Sequence, residues 1–240
     1  MSKKAVRIAG ILGGMGPEAT ARFFELVIKN TAAARDQEHL RIIVCNWPQI
    51  PDRTGAILYG GEDPRPRMLE GLKILERAGA ELAAVPCLTA HYFLPELKKR
   101  TRLKLLDLVA ETARWTESNL PGIKAVGLLA TEGTVASGLF QKTFRRHKIK
   151  ILEPSPDCQR KIMEAIYGKS GIKAGFSGGR AARLLSEAAN ELIEAGARAI
   201  IAGCTEIPLA LKPDRLSVPL IDPMTIGARA LIRQAGGRLR

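Results

Sequence analysis

Two cysteines lie at matching places in two similar stretches of the sequence. Cys87 comes eight residues after Gly79, and Cys204 comes eight residues after Gly196. Alanines flank both glycines, and a short apolar run leads to each cysteine. Two thiols presented from equivalent places could remove a proton from one face of a carbon and deliver one to the other face, by general acid–base catalysis. The pair therefore indicates the chemistry of a racemase or epimerase that needs no cofactor.

The two stretches belong to a longer internal repeat. The offset of 117 residues between the cysteines also maps Gly10-Ile11-Leu12 onto Gly127-Leu128-Leu129, and Gly16 onto Gly133. A repeat of this length is far longer than a solenoid unit, so it predicts two similar domains. Each domain would present one cysteine from an equivalent position.

Strand-like and helix-like segments alternate along the whole chain, which predicts an α/β fold with parallel sheets. We expect two similar parallel-sheet α/β domains related by a pseudo-twofold axis. Ligands of such sheets bind outside the carboxyl ends of the strands, so the active site is predicted in the cleft between the domains. The predicted first domain comprises residues 1–106 and about 222–240, and the second comprises residues 107–221.

The elements themselves follow from hydrophobic periodicity and from turn and cap signals. Strands are predicted at residues 6–12, 40–45, 81–86, 103–106, 124–130, 150–152, 198–202 and 218–221. Helices are predicted at residues 17–35, 68–78, 90–100, 107–119, about 135–147, 156–167, 178–194 and after 222. Residues 46–66 and 168–179 are predicted as loops, with Ser177 as an N-cap. The first helix is expected to turn Phe23, Phe24, Val27 and Ile28 inward.

Composition excludes some classes of protein and leaves others open. The chain has 240 residues, of which 46% are hydrophobic, and 37 basic against 24 acidic residues give a net charge of +13. This charge favours anionic partners, and binding to DNA or RNA stays an alternative that predicts salt-sensitive association. No aromatic residues interleave with the basic clusters as in a stacking platform, so nucleic acid is not the expected partner.

The sequence also carries information on location. No apolar stretch approaches the roughly 20 residues of a membrane span, so no membrane partner is expected. The basic start at residues 1–4 leads into a predicted strand and is not interpreted as a signal peptide. We therefore predict a cytoplasmic protein, in which reducing conditions keep the thiols free.

Other roles for the cysteines remain open on the residues alone. Free cysteines are commonly buried as small hydrophobic side chains, and Cys45 and Cys158, which have no partner in the repeat, are interpreted in this way. A disulfide is disfavoured by the reducing compartment. A zinc site could use Cys87 and His91 at helical spacing, but the chain has three histidines and neither repeated cysteine belongs to a C-x-x-C pair.

Five motifs in this order make the chain similar to the aspartate/glutamate racemase family, on its aspartate racemase branch. They are residues 10–17 (GILGGMGP), 48–53 (PQIPDR), 86–87 (PC), 89–91 (TAH) and 203–206 (GCTE). The resemblance covers about residues 8–227. It implies two α/β domains with pseudo-twofold symmetry, two catalytic cysteines, no pyridoxal phosphate and no metal. It also implies a homodimer, because many members of the family are dimers.

The resemblance also implies roles for individual residues. Cys87 and Cys204 match the acid/base pair, and Arg53 matches an arginine associated with the side-chain carboxylate of the substrate. Lys173 lies in a loop where the family places a lysine that contacts the substrate. Further pocket positions are matched by Met15, Thr89, Thr131 and Thr205. Glu206 follows the second cysteine as in the aspartate branch. Arg53 and Lys173 could also be ordinary loop side chains, Met15 core filler, and His91 is interpreted as structural.

One position departs from the family pattern. Leu88 stands where the family usually has asparagine, directly after the first cysteine. Leucine cannot donate a hydrogen bond to the polar groups of an amino acid, and losing such a contact costs about 1–3 kcal/mol. The leading hypothesis is a racemase of a small acidic amino acid, aspartate first and glutamate second. The alternatives are an isomerase or epimerase of another small acid, and an inactive homologue that only binds an acidic metabolite.

Overall fold

The computed structural model describes residues 6–240, so the interpretation of residues 1–4 falls outside the described part. Two four-stranded parallel sheets form the centre of the molecule. The first contains β1 (Ala9–Gly13), β2 (Ile42–Asn46), β3 (Leu82–Ala84) and β4 (Lys104–Leu105), in the order β2-β1-β3-β4. The second contains β5 (Ala125–Leu129), β6 (Lys150–Leu152), β7 (Ile200–Ala202) and β8 (Leu220–Ile221), in the order β6-β5-β7-β8.

The two sheets repeat each other in register as well as in order. Ile11 of β1 is paired with Ala84 of β3, and Leu128 of β5 is paired with Ile201 of β7. Both partners of the second pair lie 117 residues after those of the first, which is the offset of the sequence repeat. The predicted α/β fold with two similar parallel sheets is therefore confirmed.

Eleven α-helices cover the sheets within the described residues. Those of the first half and the junction are α1 (Pro17–Asn30), α2 (Arg53–Leu58), α3 (Arg65–Arg77), α4 (Leu94–Lys98) and α5 (Leu108–Asn119). Those that follow are α6 (Glu132–Ala136), α7 (Leu139–Arg145), α8 (Pro156–Tyr167), α9 (Gly179–Glu194), α10 (Ile207–Ala210) and α11 (Pro223–Ala235). Short 3-10 helices lie at Asp36–Glu38, Thr89–Phe93, Ile172–Ala174 and Pro213–Arg215. No helix in this described part is both long and apolar enough to cross a bilayer.

The first helix buries a narrower face than the sequence predicted. Phe23 and Val27 are buried, but Phe24 and Ile28 are 38% and 42% exposed. Residues four apart share a helix face while their neighbours lie about 100° further round. The buried stripe therefore continues from Phe23 to Val27, and the prediction of an inward-facing Phe24 and Ile28 was wrong.

Three further local predictions need correction. The predicted loop at 46–66 contains α2, whose N-terminus is capped by Asp52, which accepts a hydrogen bond from the Gly55 N–H at 2.6 Å. The helix predicted up to residue 147 is broken into α6 and α7 at Gly138, where φ is +63°. The N-cap of α9 is Gly178, which has no side chain to cap with, and not Ser177.

The two halves share one hydrophobic core. A single buried cluster includes Leu82 of the first sheet, Leu128 of the second, Leu108 of α5 and Leu231 of α11. Helix α11 packs against both α1 and α5. Each half also has a core of its own, around Leu72 in the first half and Ile162 in the second. The shared core holds the carboxyl ends of both sheets toward a common region, and the domain boundaries stay a prediction.

Candidate active site

A small pocket, here called the inner pocket, lies between the two halves. Its walls are formed by Met15, Arg53, Cys87, Leu88, Thr89, Thr131, Tyr167, Lys173, Cys204, Thr205 and Glu206. The structure thus brings together all ten site residues predicted from the sequence and adds Tyr167. The free volume inside is about 10 Å3, which is the room that one water molecule needs.

Cys87 is positioned by a turn that His91 holds in place. The Nδ1–H of His91 lies 2.9 Å from the carbonyl oxygen of Cys87, and its Nε2 accepts a hydrogen bond from the Leu108 N–H at 3.0 Å. Because Nε2 is the acceptor, the proton of the neutral ring sits on Nδ1. Burial lowers the pKa of His91 and keeps the ring neutral. Both ring nitrogens are therefore committed, and the considered zinc pairing of Cys87 with His91 is not formed.

Cys204 is positioned by the close approach of Gly203 to β5. The Gly203 N–H donates to the carbonyl oxygen of Leu129 at 2.6 Å. A Cβ at residue 203 would lie 2.8 Å from that same oxygen and 2.5 Å from the Leu128 side chain. Only glycine fits here, which explains why Gly203 directly precedes Cys204.

Glu206 connects Cys204 to Lys173. The Cys204 Sγ lies 2.9 Å from Glu206 Oε2, and the hydroxyl of Thr205 donates to the same oxygen at 2.9 Å. The Nζ of Lys173 donates to Glu206 Oε1 at 2.6 Å. Burial by itself raises the pKa of the Glu206 carboxyl, but the Lys173 charge and these hydrogen bonds outweigh it and hold the pKa below its usual value. Glu206 is thus a buried carboxylate.

The two thiols have different electrostatic surroundings. Burial and then the Glu206 carboxylate raise the pKa of Cys204 well above its ordinary value. The helix starts next to the cysteines are only a 3-10 helix at Thr89–Phe93 and the four-residue α10, and a macrodipole needs several aligned turns. Neither short helix therefore offsets the effects of burial and of the Glu206 carboxylate on the pKa of Cys204.

Arg53 is a buried cation on the Cys87 side of the pocket. Its guanidinium donates hydrogen bonds to the carbonyl oxygens of Ile50 at 3.1 Å, Pro51 at 2.8 Å and Met15 at 3.3 Å. Its Nε is buried and has no hydrogen-bond partner within the described structure. Burial lowers the pKa of Arg53, but the nearby Cys87 and Asp52 raise it above the usual value. The guanidinium therefore keeps donors without a partner, among them the buried Nε–H, and remains charged beside Cys87.

Three threonine hydroxyls, here called the threonine cluster, join the two halves. Thr89 of the first half hydrogen-bonds Thr131 at 3.2 Å and Thr134 at 2.8 Å, both through side-chain oxygens. Thr131 is also 3.1 Å from Thr134 and caps the start of α6. All three hydroxyls can rotate to donate or accept. Thr89 and Thr131 line the inner pocket, so these two hydroxyls can offer hydrogen bonds to a polar ligand, while Thr134 supports them from behind.

Tyr167 is the pocket residue that the sequence analysis missed. It ends α8, directly before the predicted loop that carries Lys173, and the Lys173 Nζ lies 5.5 Å from the centre of its ring. Burial raises the pKa of Tyr167, and the negative charge of Asp52 raises it further, so its hydroxyl stays protonated. The only sequence signal was its place at the edge of that loop, which does not distinguish a pocket residue from a surface one.

The inner pocket opens toward a larger cleft of about 430 Å3, here called the outer cleft. Met15, Arg53, Tyr167, Lys173 and Glu206 line both spaces. The outer cleft is otherwise lined by the Gly14–Glu18 turn, by Pro48, Ile50 and Asp52, and by Ile172. A ligand that reaches the thiols from this side must pass Lys173 and Tyr167.

Two α/β halves of one topology, with a thiol from each half in the pocket between them, are the architecture of a racemase-type α/β isomerase. A sequence profile described as Asp/Glu/Hydantoin racemase matches residues 12–231, and the chain belongs to this family. The resemblance stated from the sequence motifs is confirmed.

Individual relatives agree with this assignment. The chain is 32% identical to the aspartate racemase of Picrophilus torridus, with a TM-score of 0.86 over 98% of this chain and 96% of that one. It is 28% identical to the broad specificity amino-acid racemase RacX of Bacillus subtilis, over 93% of this chain and 96% of that protein. A glutamate racemase of Francisella tularensis solved with D-glutamate shares the fold, with a TM-score of 0.70 and 16% identity over 95% of this chain and 80% of that one.

Proposed function

We propose that this protein is an amino-acid racemase that interconverts L- and D-aspartate, with glutamate as a second substrate, and that it needs no pyridoxal phosphate. The single observation that carries the proposal is the inner pocket, into which two symmetry-related elements each bring one thiol. One thiolate would remove the α-proton while the opposite thiol delivers a proton to the other face. Either direction then uses the same two groups with exchanged roles.

The charges of the pocket favour a substrate with two carboxylates. Arg53 has a buried donor without a partner, and Lys173 lies at the opening toward the outer cleft. A side-chain carboxylate could accept hydrogen bonds from these two cations, which are stronger than neutral hydrogen bonds. The hydroxyls of Thr89 and Thr131, which line the inner pocket, would bind the polar groups at the α-carbon. The family relation to an aspartate racemase supports the same substrate class.

A second candidate is a racemase or epimerase of another small acid, and Leu88 is the observation that favours it. Leu88 is 1% exposed and lines the inner pocket beside Cys87. It removes a polar contact that the family pattern would supply there, so the binding of the α-groups must differ. The relation to a broad specificity racemase agrees with a wider range of substrates.

Chiral chromatography of single-enantiomer amino acids incubated with the purified protein tests these candidates. Racemisation of aspartate and glutamate without added cofactor, at rates above those for alanine or serine, is the expected result. Racemisation restricted to other acids would favour the second candidate. Thermal stabilisation by aspartate without any racemisation would contradict both candidates and indicate a binding protein. Homodimer formation and a cytoplasmic location remain proposals, and sedimentation velocity tests the first.

A further inference from the structure

The two thiols of the inner pocket differ in which charged side chain contacts them. The acidic side chain among the described residues that line the pocket is Glu206, and it lies against Cys204. The guanidinium of Arg53 lies on the Cys87 side. The two cysteines are almost equally buried, at 6% and 7% exposure. Neighbouring charge, and not access to solvent, therefore distinguishes them.

The hydrogen bonds at Glu206 indicate the protonation states of Glu206 itself and of Cys204. Lys173 donates to Oε1 at 2.6 Å and Thr205 donates to Oε2 at 2.9 Å, so both oxygens act as acceptors and the group is a carboxylate. The Cys204 Sγ lies 2.9 Å from Oε2. Two anions at that distance would repel each other, whereas an S–H group donates a hydrogen bond. The contact between Cys204 and Glu206 is therefore favourable when Cys204 is the protonated thiol.

We propose that Glu206 is a positioning residue that holds Cys204 as the thiol, so that the resting enzyme has Cys87 as the thiolate and proton acceptor. The inference rests on the proposed two-thiol mechanism and adds a direction to it. In the forward step the Cys87 thiolate takes the proton from the α-carbon, and the electron pair of that C–H bond stays on the substrate. The Cys204 thiol then gives its proton to the opposite face and becomes the thiolate.

After this turnover Cys87 carries the proton, whereas in the resting enzyme Cys204 carries it. Cys204 is then an anion against the Glu206 carboxylate, and Cys87 has lost the charge that faces Arg53. Proton exchange with solvent would restore the resting form. One enantiomer therefore reacts with the resting enzyme directly, and the other needs the less populated form. The ratio kcat/KM must be equal for both enantiomers because their equilibrium constant is one, so the asymmetry would appear in kcat and KM separately.

The rate of alkylation of each cysteine tests the inference without any turnover. Iodoacetamide is neutral and reacts with thiolates, and both thiols line the same pocket. We expect wild-type Cys87 to be alkylated at least about tenfold faster than Cys204 at pH 8, as followed by mass spectrometry of peptides. A Glu206→Gln variant should raise the Cys204 rate by about tenfold or more, since it removes an adjacent negative charge. The Cys87 rate should change by less than about threefold.

The chain offers a matched control outside the pocket. The Cys158 Sγ lies 2.6 Å from the Glu191 Oε2, which is the same kind of thiol–carboxylate contact. Glu191→Gln should accelerate alkylation of Cys158 and leave the ratio of Cys87 to Cys204 unchanged. Equal or reversed rates for the two pocket cysteines in the wild type would overturn the inference, and so would an unchanged ratio in Glu206→Gln.

Two further readouts keep the outcomes distinct. If Glu206→Gln does not fold, the pH dependence of alkylation in the wild type decides, because the Cys204 rate should rise at a higher pH than the Cys87 rate. Racemisation is assayed on the same samples. Asymmetric alkylation without racemisation would contradict the proposed function alone, and racemisation with equal alkylation would contradict the role of Glu206 alone.

Discussion

Glu206 and Lys173 form an ion pair whose two ends differ in burial. Their side chains are 5% and 25% exposed. A buried pair contributes little net stability, but removal of one partner leaves an uncompensated charge that is strongly destabilising. Both side chains also line the inner pocket and the outer cleft, so the pair lies between them. The Glu206–Lys173 ion pair therefore affects both the stability of the protein and the access of a ligand to the thiols.

A double-mutant cycle tests this reasoning. Lys173→Met should lower the free energy of unfolding by about 1–3 kcal/mol, below the full effect of a broken buried pair because Lys173 is partly exposed. The double variant Lys173→Met/Glu206→Gln should recover much of that loss, since no buried carboxylate is then left unpaired. Urea unfolding of the four proteins gives the values. A double variant that is less stable than Lys173→Met would contradict the account.

At the scale of elements, the buried strands were predictable because short apolar runs followed by turn or helix-cap residues mark most of them. The strand Lys150–Leu152 and the helix Pro156–Tyr167 were predicted with their observed bounds. The short helix α2 was missed because Pro, Gly and Asp dominate its surroundings, although Asp52 caps it. The break at Gly138 depends on a left-handed backbone conformation that glycine permits but does not require.

The candidate site was more predictable than the elements around it. Cys87 and Cys204 follow from the repeat, and the flanking motifs supplied Arg53 and Glu206. Tyr167 could not be found in this way, because its place in the pocket depends on the path of the segment between α8 and α9, which brings Lys173 to within 5.5 Å of its ring. The difference in charge around the two thiols was equally hidden, since spacing alone does not show that Glu206 turns toward Cys204.

His91 links two elements and should make stability depend on pH. It joins the turn after β3 to the start of α5, and burial lowers its pKa in the folded protein. The unfolded chain takes up a proton near pH 6.5, so the unfolded state gains stability below that pH. The stabilisation is complete above about pH 6.5 and is lost progressively as the pH falls toward the lowered pKa.

The His91→Gln variant removes this titration. Its free energy of unfolding should be lower than that of the wild type at pH 7.5, and it should decline less between pH 7 and pH 5. Urea unfolding across that range provides the comparison, and the slopes of the two proteins should differ by at most about 1.4 kcal/mol per pH unit, the limit for one group. Parallel pH profiles for both proteins would show that His91 does not titrate in this way.

At the scale of the whole molecule, the distance between the halves is set where α2 meets α6. A Cβ at Gly133 would lie 2.7 Å from the Thr54 hydroxyl and 2.9 Å from its Cα. Tyr59 also donates a hydrogen bond to Glu132 across this seam at 2.8 Å. Arg53 begins α2 and Thr131 caps α6. A shift at this seam therefore moves pocket residues of both halves relative to each other.

Gly133→Ala should separate the halves by a few tenths of an ångström. Because misplacement of about 1 Å can lower a rate by about a hundredfold, we expect kcat/KM to fall by about ten- to a hundredfold while cooperative unfolding is retained. Gly55→Ala is the matched control, since a Cβ there meets its nearest atom, Asp52 Oδ1, at an ordinary 3.4 Å. Equal activity of the two variants would show that the seam does not set the geometry of the pocket.

The central claim is that two thiols from two similar halves move one α-proton. The most direct test is the exchange of the α-proton of L- and D-aspartate, followed by NMR in D2O for the wild type, Cys87→Ser and Cys204→Ser. The account predicts incorporation of deuterium with racemisation by the wild type, and no racemisation by either variant. Racemisation at an undiminished rate by either variant, or no exchange with any small dicarboxylic amino acid by the wild type, would contradict it.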